Sequence, residues 1–345
     1  MTRLINSRAP IRICDLGGWT DTWFAGYGNV LNIAVHPLVQ CQIQVRGGSE
    51  REGRVMIVAE NFGDRYLVDR ESGTYGKHPL LEAAIEAMTV PRDLDLEIYL
   101  YSDAPPGGST GTSASVAVAL IGALDLLTPE RMTPLQVAAK AHQIETEYLG
   151  LQSGIQDQIA AACGGICYLE MEHYPEARVT PISLPDETWW ELETRLSLIY
   201  IGRSHNSSAV HEKVIAELKK EGPNCTRLNA LRDFPVRGRN ALEAGDLAAF
   251  GQAMIENTRA QAALHPSLVS DLAGDIIDIA NRHGALGWKV NGAGGEGGSL
   301  TLLNNGSQSG RRAMVQDILA LDQSIREIPI TLCRHGLLVW ETALQ

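Results

Sequence analysis

The residues best equipped for chemistry lie between 105 and 124, PPGGSTGTSASVAVALIGAL. Gly107, Gly108 and Gly111 are interleaved with Ser109, Thr110, Thr112 and Ser113, and a small, apolar run follows that predicts a buried helix. Glycine lets a backbone approach a ligand closely, and a helix N-terminus supplies free N–H groups and partial positive charge. The stretch from Pro106 to Ser113 therefore reads as a phosphate cradle, with hydroxyls at Thr112 and Ser113 for a phosphate oxygen or its metal ion. No G-x-x-x-x-G-K-[ST] string occurs, so this is not a Walker loop. No G-x-G-x-x-G follows a first strand either, which weakens a dinucleotide-binding dehydrogenase. What remains is a nucleotide site built on a different loop.

Phosphoryl transfer needs a cradle, a metal, a positive charge near the moving group and a residue that orients or deprotonates the acceptor. Glu145, on a predicted helix after the loop, can complete a Mg²⁺ site with Ser113, because Mg²⁺ prefers oxygen ligands. Asp157, in SGIQDQ, can accept a hydroxyl proton, and Arg12 can supply positive charge. Each also has a plain structural reading: a solvated helix face for Glu145, a helix N-terminal acid for Asp157, a strand-edge charge for Arg12. The turn DLGGWTDTWFAGYGN combines aromatic residues with the isolated Asp21, a mixture that lines ligand pockets.

The chain that must position these groups has 345 residues, 44% hydrophobic and 20% charged, enough for one large domain or two. A net charge of −12 argues against nucleic acid or an anionic membrane as a partner. No stretch has the apolar length of a membrane span, and MTRLINSRAPIRI lacks the apolar core of a signal peptide. Six scattered cysteines suit free thiols in a reducing compartment, hence a cytoplasmic location. Cys163 and Cys167 have no second Cys/His pair, which favours buried thiols over zinc.

Strands are expected at 8–13, at 30–35 and 39–45 around a short turn, at 55–59 and at 95–103. Helices are expected at 78–88, from 113, from Pro134 to a stop at Gly150, and at 153–165, followed by a strand over ICYLEME. The prolines between 175 and 190 mark a connecting segment. Beyond it come a strand at 196–202, a helix capped by Ser207 or Ser208, and mainly helix over 227–283. GWKV and SLTLL flank a glycine-rich turn at 292–298, VQDILALDQSI reads as a helix, and PITLCRHGLLVW as one or two strands. The opening is antiparallel β in character, not βαβ.

Three segments in order resemble the GHMP small-molecule kinases: RAPIRICDLGGWTD, PPGGSTGTSASVAVA and KVNGAGGEGGSLTLL. The resemblance implies an α+β, two-domain fold, with a ribosomal-S5-domain-2-like N-terminal part over 1–185 and a ferredoxin-like C-terminal part over 186–345. It implies ATP and Mg²⁺, with Pro106, Gly107, Gly108, Ser109, Thr110, Gly111, Thr112 and Ser113 on the nucleotide and Ser113 and Glu145 on the metal. It places Asp157 as catalytic base and Arg12 at the acceptor oxygen or transferred phosphoryl. It puts Gly18, Trp19, Thr20 and Asp21 on the sugar, with Gly294 and Gly295 from the third segment.

Gly17-Gly18-Trp19 stands where galactokinases carry G-E-H, and is more similar to L-fucokinase and to bacterial heptose-phosphate kinases. The expected activity is transfer of the ATP γ-phosphate to a hydroxyl, the anomeric one, of a monosaccharide or sugar phosphate. The alternative is a catalytically silent sensor of sugar and nucleotide. A phosphorylated or uronic acceptor would require a basic cluster, for which Arg203 and His205 are candidates, and Glu296 interrupts the third glycine run. A small-molecule sugar is the expected partner, with a homodimer left open.

Overall fold

A computed structural model describes residues 2–47, 53–71, 73–202 and 208–343. The chain opens with two long strands, β1 (Thr2–Leu16) and β2 (Gly28–Arg46), paired antiparallel along most of their length. Then come β3 (Val55–Ala59), β4 (Asp64–Leu67), helix α1 (Pro79–Ala87) and β5 (Asp95–Ser102). The loop after β5 feeds α2 (Thr112–Asp125), which α3 (Pro134–Gln143) and α4 (Gln156–Cys163) follow. Strands β6 (Ile166–His173) and β7 (Glu176–Pro181) complete this part.

The second part runs α5 (Asp186–Arg195), β8 (Leu196–Tyr200), α6 (Ser208–Glu221), α7 (Thr226–Glu243), α8 (Leu247–Leu264), α9 (Asp271–Arg282), β9 (Gly287–Val290), β10 (Ser299–Leu303), α10 (Gln308–Leu319) and β11 (Arg326–Ile328). The final strand, β12 (Leu338–Ala343), returns to pair with β1. The architecture is α+β, with two sheets. One has the order β12-β1-β2-β5-β3-β4, with β6 and β7 extending from β2, and the other is β11-β8-β10-β9. Among the described residues, all strand pairs are antiparallel except β3 with β5.

Helix α2 is apolar on nearly every side and is buried against β1, so its sequence has no polar face to give away its orientation. Two hydroxyls fix it instead: Ser115 Oγ donates to the Pro10 carbonyl at 2.7 Å, and Ser7 Oγ to that of Ala119 at 2.6 Å. The end of β1 lies between the two sheets. Ile11, Ile13 and Leu16 share a core with Leu198 of β8 and Phe250 of α8. Cys14 N–H donates to Asn291 and Gly17 N–H to Asn257. Among the described residues no helix is long and apolar enough to cross a membrane.

Four local expectations differ from the structure, in whole or in part. The two strands at 30–35 and 39–45 are one strand: the register against β1 shifts between Pro10 and Ile11, so His36 and Pro37 sit in a bulge. Proline has no N–H for a ladder, and a bulge asks for none. The segment at 175–190 is structured, as β7 and the start of α5. The late helix is α10, begun by Ser307 accepting from Gly310 N–H, and it stops at Leu319. Of the closing strands expected within 329–340, β12 begins there at Leu338 and runs on to Ala343, while β11 ends just before it at Ile328. Of the two residues expected as a cap, Ser207 lies outside the described residues, and Ser208 is the first residue of α6.

Leu120 is fully buried where α2 meets the large sheet. Leu120→Ala should lower the unfolding free energy by about 2–5 kcal/mol in urea denaturation.

Candidate active site

Arg12 leaves β1 pointing between the sheets, and its side chain is 4% exposed. Its Nε donates to Asp157 Oδ1 at 2.7 Å, its Nη1 to the Ser109 carbonyl at 2.5 Å, and Nη1 lies 3.8 Å from Asp15 Oδ1. Its backbone N–H donates to the Thr110 carbonyl. Burial opposes the charge, but Asp157, Asp15 and Asp21 more than offset it, so the guanidinium holds its proton more tightly than usual. Asp15, fully buried, also lies 3.5 Å from Lys289 Nζ and accepts from Gly292 N–H at 3.0 and 3.1 Å. Burial would raise its pKa, yet Lys289, Arg12 and the Gly292 amide together hold it below the usual carboxylate range. Lys289, equally buried, has its pKa lowered by burial, with Asp15 pulling the other way, and donates to Gln261 Oε1 and the Val290 carbonyl.

Asp157 stands in the first turn of α4, where a carboxylate suits the helix dipole. Asp21 reaches the same helix end from the turn after β1: its Oδ2 accepts from the N–H groups of Ile155 and Gln156 at 3.0 and 3.1 Å. Burial pushes the Asp21 carboxyl up to about 6, against the pull of the Gln156 amide. These groups surround a cavity of about 110 Å³, lined by Arg12, Asp15, Asp21 and Asp157, by Trp19, Trp23 and Phe24, and by Gln152, Gln156 and Gly292.

On the other side of Arg12 lies the glycine loop. Gly111, at φ +70°, ends it as the residue before α2, and a Cβ there would come within 3.2 Å of Asp157. No side chain caps α2, so its first N–H groups lack an intramolecular cap. The second glycine segment supports the loop from behind: Ser299 Oγ donates to the Gly108 carbonyl at 2.6 Å, and a Cβ on Gly292 (φ +60°) would meet Ser109 at 3.1 Å. A second cavity, of about 270 Å³, opens beside the loop. Pro106, Gly107, Thr112 and Ser113 form one wall, and Phe62, Leu81, Leu100 and Val116 make much of the rest apolar.

Glu145 sits on a π-helical turn, Ile144–Tyr148, that continues α3. Its buried carboxylate accepts from Ser153 Oγ at 2.6 Å and from Gln158 Nε2 at 2.9 Å. Burial, helped by the nearby charge of Asp157, pushes it up to about 7.

Residues 79–165, which span α1, the glycine loop, Glu145 and Asp157, match the family model for the GHMP kinases N terminal domain. A D-glycero-alpha-D-manno-heptose 7-phosphate kinase from Campylobacter jejuni is 24% identical over 86% of this chain and 88% of its own. The chain carries a GHMP kinases N terminal domain over residues 79–165. An L-fucokinase/L-fucose-1-P guanylyltransferase from Bacteroides fragilis is 22% identical over 90% of this chain and 35% of its own length. Two solved structures share the fold. A D-glycero-D-manno-heptose 1-phosphate kinase from Bacteroides thetaiotaomicron has a TM-score of 0.74, 21% identity, and coverage of 99% of this chain and 100% of its own. A Lactococcus lactis galactokinase complexed with galactose has a TM-score of 0.77, 17% identity, and coverage of 97% and 95%.

Of the residues singled out from the sequence, Arg12, Trp19, Asp21 and Asp157 line the smaller cavity, and Pro106, Gly107, Thr112 and Ser113 the larger. Gly18 and Thr20 lie behind the first group. Thr20 Oγ1 donates to the Gly17 carbonyl, and a Cβ on Gly18 would fall 2.6 Å from Asp15 Oδ2. Gly292 and Ala293 reach the cavity, whereas Gly295 N–H donates to the Leu268 carbonyl and Gly294 packs against that same carbonyl. Glu296 is exposed, and Arg203 and His205 lie outside the described residues. Sequence reasoning missed Asp15, Lys289 and Gln156. A lone lysine in the apolar strand GWKV and a lone aspartate ending IRICDL were the available signals.

Asp15→Ala would leave Lys289 buried without its carboxylate, and should cost about 3–5 kcal/mol of stability, with Asp15→Asn intermediate, in chemical denaturation. Asp21 gives a pH signature. Its carboxyl holds a proton more tightly folded than unfolded, so its contribution is full below about 4 and is lost as the pH rises through about 6. Relative to the parent, Asp21→Asn should gain about 1–2 kcal/mol of stability between pH 5 and pH 8, read from paired urea curves.

Proposed function

We propose that this chain transfers the γ-phosphate of ATP to a hydroxyl, the anomeric one, of a monosaccharide or sugar phosphate. The observation that carries this reading is Arg12, which joins Asp157 in one cavity to the Ser109 carbonyl of the glycine loop beside the other. A donor phosphate and an acceptor hydroxyl meet where such a cation stands.

The residues present fit ATP and Mg²⁺. An apolar cavity next to the loop suits a flat base, and the uncapped first turn of α2 suits phosphates. Ser113, exposed on that turn, and Glu145 would hold the metal. A buried carboxylate pushed up by its surroundings, with neutral hydrogen-bond donors, gains from a cation. Bound there, Mg²⁺ supplies neutralisation of charge on the phosphate oxygens.

The protein groups then divide the work. Asp157 faces the acceptor and takes its proton as the oxygen–phosphorus bond forms. An anomeric hydroxyl is more acidic than an ordinary alcohol, and a largely dissociative transition state asks little of a base, so the main task is to hold the hydroxyl in line. Arg12, kept charged by three carboxylates, stabilises the charge on the moving phosphoryl group. Trp19, Trp23 and Phe24 give the acceptor an apolar surface and keep water from competing. The heptose kinase and fucokinase names of the relatives support a sugar as acceptor.

ADP release in the presence of ATP, Mg²⁺ and a panel of free sugars, sugar phosphates and uronic acids tests the reading. One acceptor should stimulate it. Asp157→Asn should lower turnover by about a hundredfold or more while nucleotide affinity stays near that of the parent; retained turnover would remove Asp157 from its role.

A further inference from the structure

The smaller cavity has an unusual balance of groups. Among the described residues that line it, Arg12 is the one cation, and its guanidinium is already committed to Asp157, Asp15 and the Ser109 carbonyl. Against it stand three carboxylates: Asp15, Asp21 and Asp157. Among the described residues lining this space, a second phosphate on the acceptor, beyond the one being transferred, would find no cation of its own and would have like charges nearby. Coulomb repulsion in a partly desolvated cleft works strongly against that.

One neutral group in the wall is unspent. Gln156 is 7% exposed, and its amide oxygen has no hydrogen-bond partner. Its backbone is fully engaged: the N–H donates to Asp21 Oδ2, and the carbonyl accepts from Asn32 Nδ2. The side chain is therefore anchored at its root and unsatisfied at its tip. Its Nε2 lies 3.5 Å from where a Cβ on Gly18 would sit, so the bare glycine leaves the amide its room. A buried polar group without a partner costs free energy unless something supplies the bond. An amide presents a donor and an acceptor side by side, and half a turn about its last bond exchanges them. That pair matches two neighbouring hydroxyls of a sugar ring.

Resting on the kinase reading above, we infer that the acceptor is an uncharged, unphosphorylated monosaccharide, recognised through its hydroxyls, and that Gln156 is a specificity-determining residue that binds an adjacent pair of them. Trp19, Trp23 and Phe24 cover the apolar face of the ring, and Asp157, one residue along α4, addresses the hydroxyl that reacts. The helix thus sets the distance between the hydroxyls that are read and the hydroxyl that is phosphorylated.

The test uses matched pairs, each a free monosaccharide and the same sugar carrying a phosphate on its terminal carbon, with ATP and Mg²⁺ and the full chain. The free sugar of the best pair should have the higher kcat/KM. Gln156→Leu should raise its KM by about tenfold or more with the KM for ATP unmoved. In the parent protein, a deoxy analogue that lacks a hydroxyl read by the amide should show a similar loss, and Gln156→Leu should then add little further. A higher kcat/KM for the phosphorylated member, or an unaltered acceptor KM in Gln156→Leu, overturns the inference and leaves the kinase reading standing. Calorimetric binding of the same sugars separates the two in the other direction. Binding of the free sugar that weakens in Gln156→Leu, without turnover of any pair, sustains the inference and removes the kinase reading; binding of neither sugar overturns it.

Discussion

A buried positive charge on Arg12 is the constraint from which the rest of the centre follows. A guanidinium taken out of water is tolerable only when its donors are used and its charge is matched. Here the matching groups come from three places in the chain: Asp15 from its own strand, Asp157 from α4, and a carbonyl of the glycine loop. Satisfying one side chain therefore fixes the positions of the glycine loop and of Asp157 relative to each other. The excess negative charge left on Asp15 is met by Lys289 from the second sheet, so the neutralisation extends across both halves of the fold.

That chain of compensation explains why the site lies where the sheets meet. The end of β1 gives Ile11, Ile13 and Leu16 to a core shared with α8 and β8, while Arg12 and Asp15 on the same strand serve the cavity. Apolar packing holds the strand, and the polar residues between inherit a defined position. The two glycine-rich segments meet for the same reason: Ser299 grips the Gly108 carbonyl, and Gly292 gives its N–H to Asp15.

How much of this could be read from the sequence depended on range. The glycine and hydroxyl loop was legible because its composition is local, and the helix after it because eleven residues from Ala114 to Leu124 are all small or apolar. Asp157 and Arg12 were named as chemistry, but that they touch was not visible, since nothing in either neighbourhood encodes the other. Asp15 and Lys289 were invisible for a sharper reason. Each looks like an isolated charge in an apolar strand, and only folding turns two oddities into one ion pair. The bulge in β2 escaped because proline signals a turn more often than a bulge. Gln156 was passed over beside Asp157, and an unsatisfied amide is a property of surroundings that a sequence does not carry.

The uncapped start of α2 has a further meaning. Helices α8, α9 and α10 finish their own first turn with Asp246, Ser270 and Ser307, while α1, α5 and α7 begin without a side-chain cap at the residue before them. Helix α2 leaves that turn open after a glycine. Under the proposed function, a phosphate held in the loop would complete that turn, so a buried helix of the large sheet would be finished by the substrate. Under the proposed function, occupancy and conformational stability are then two views of one equilibrium.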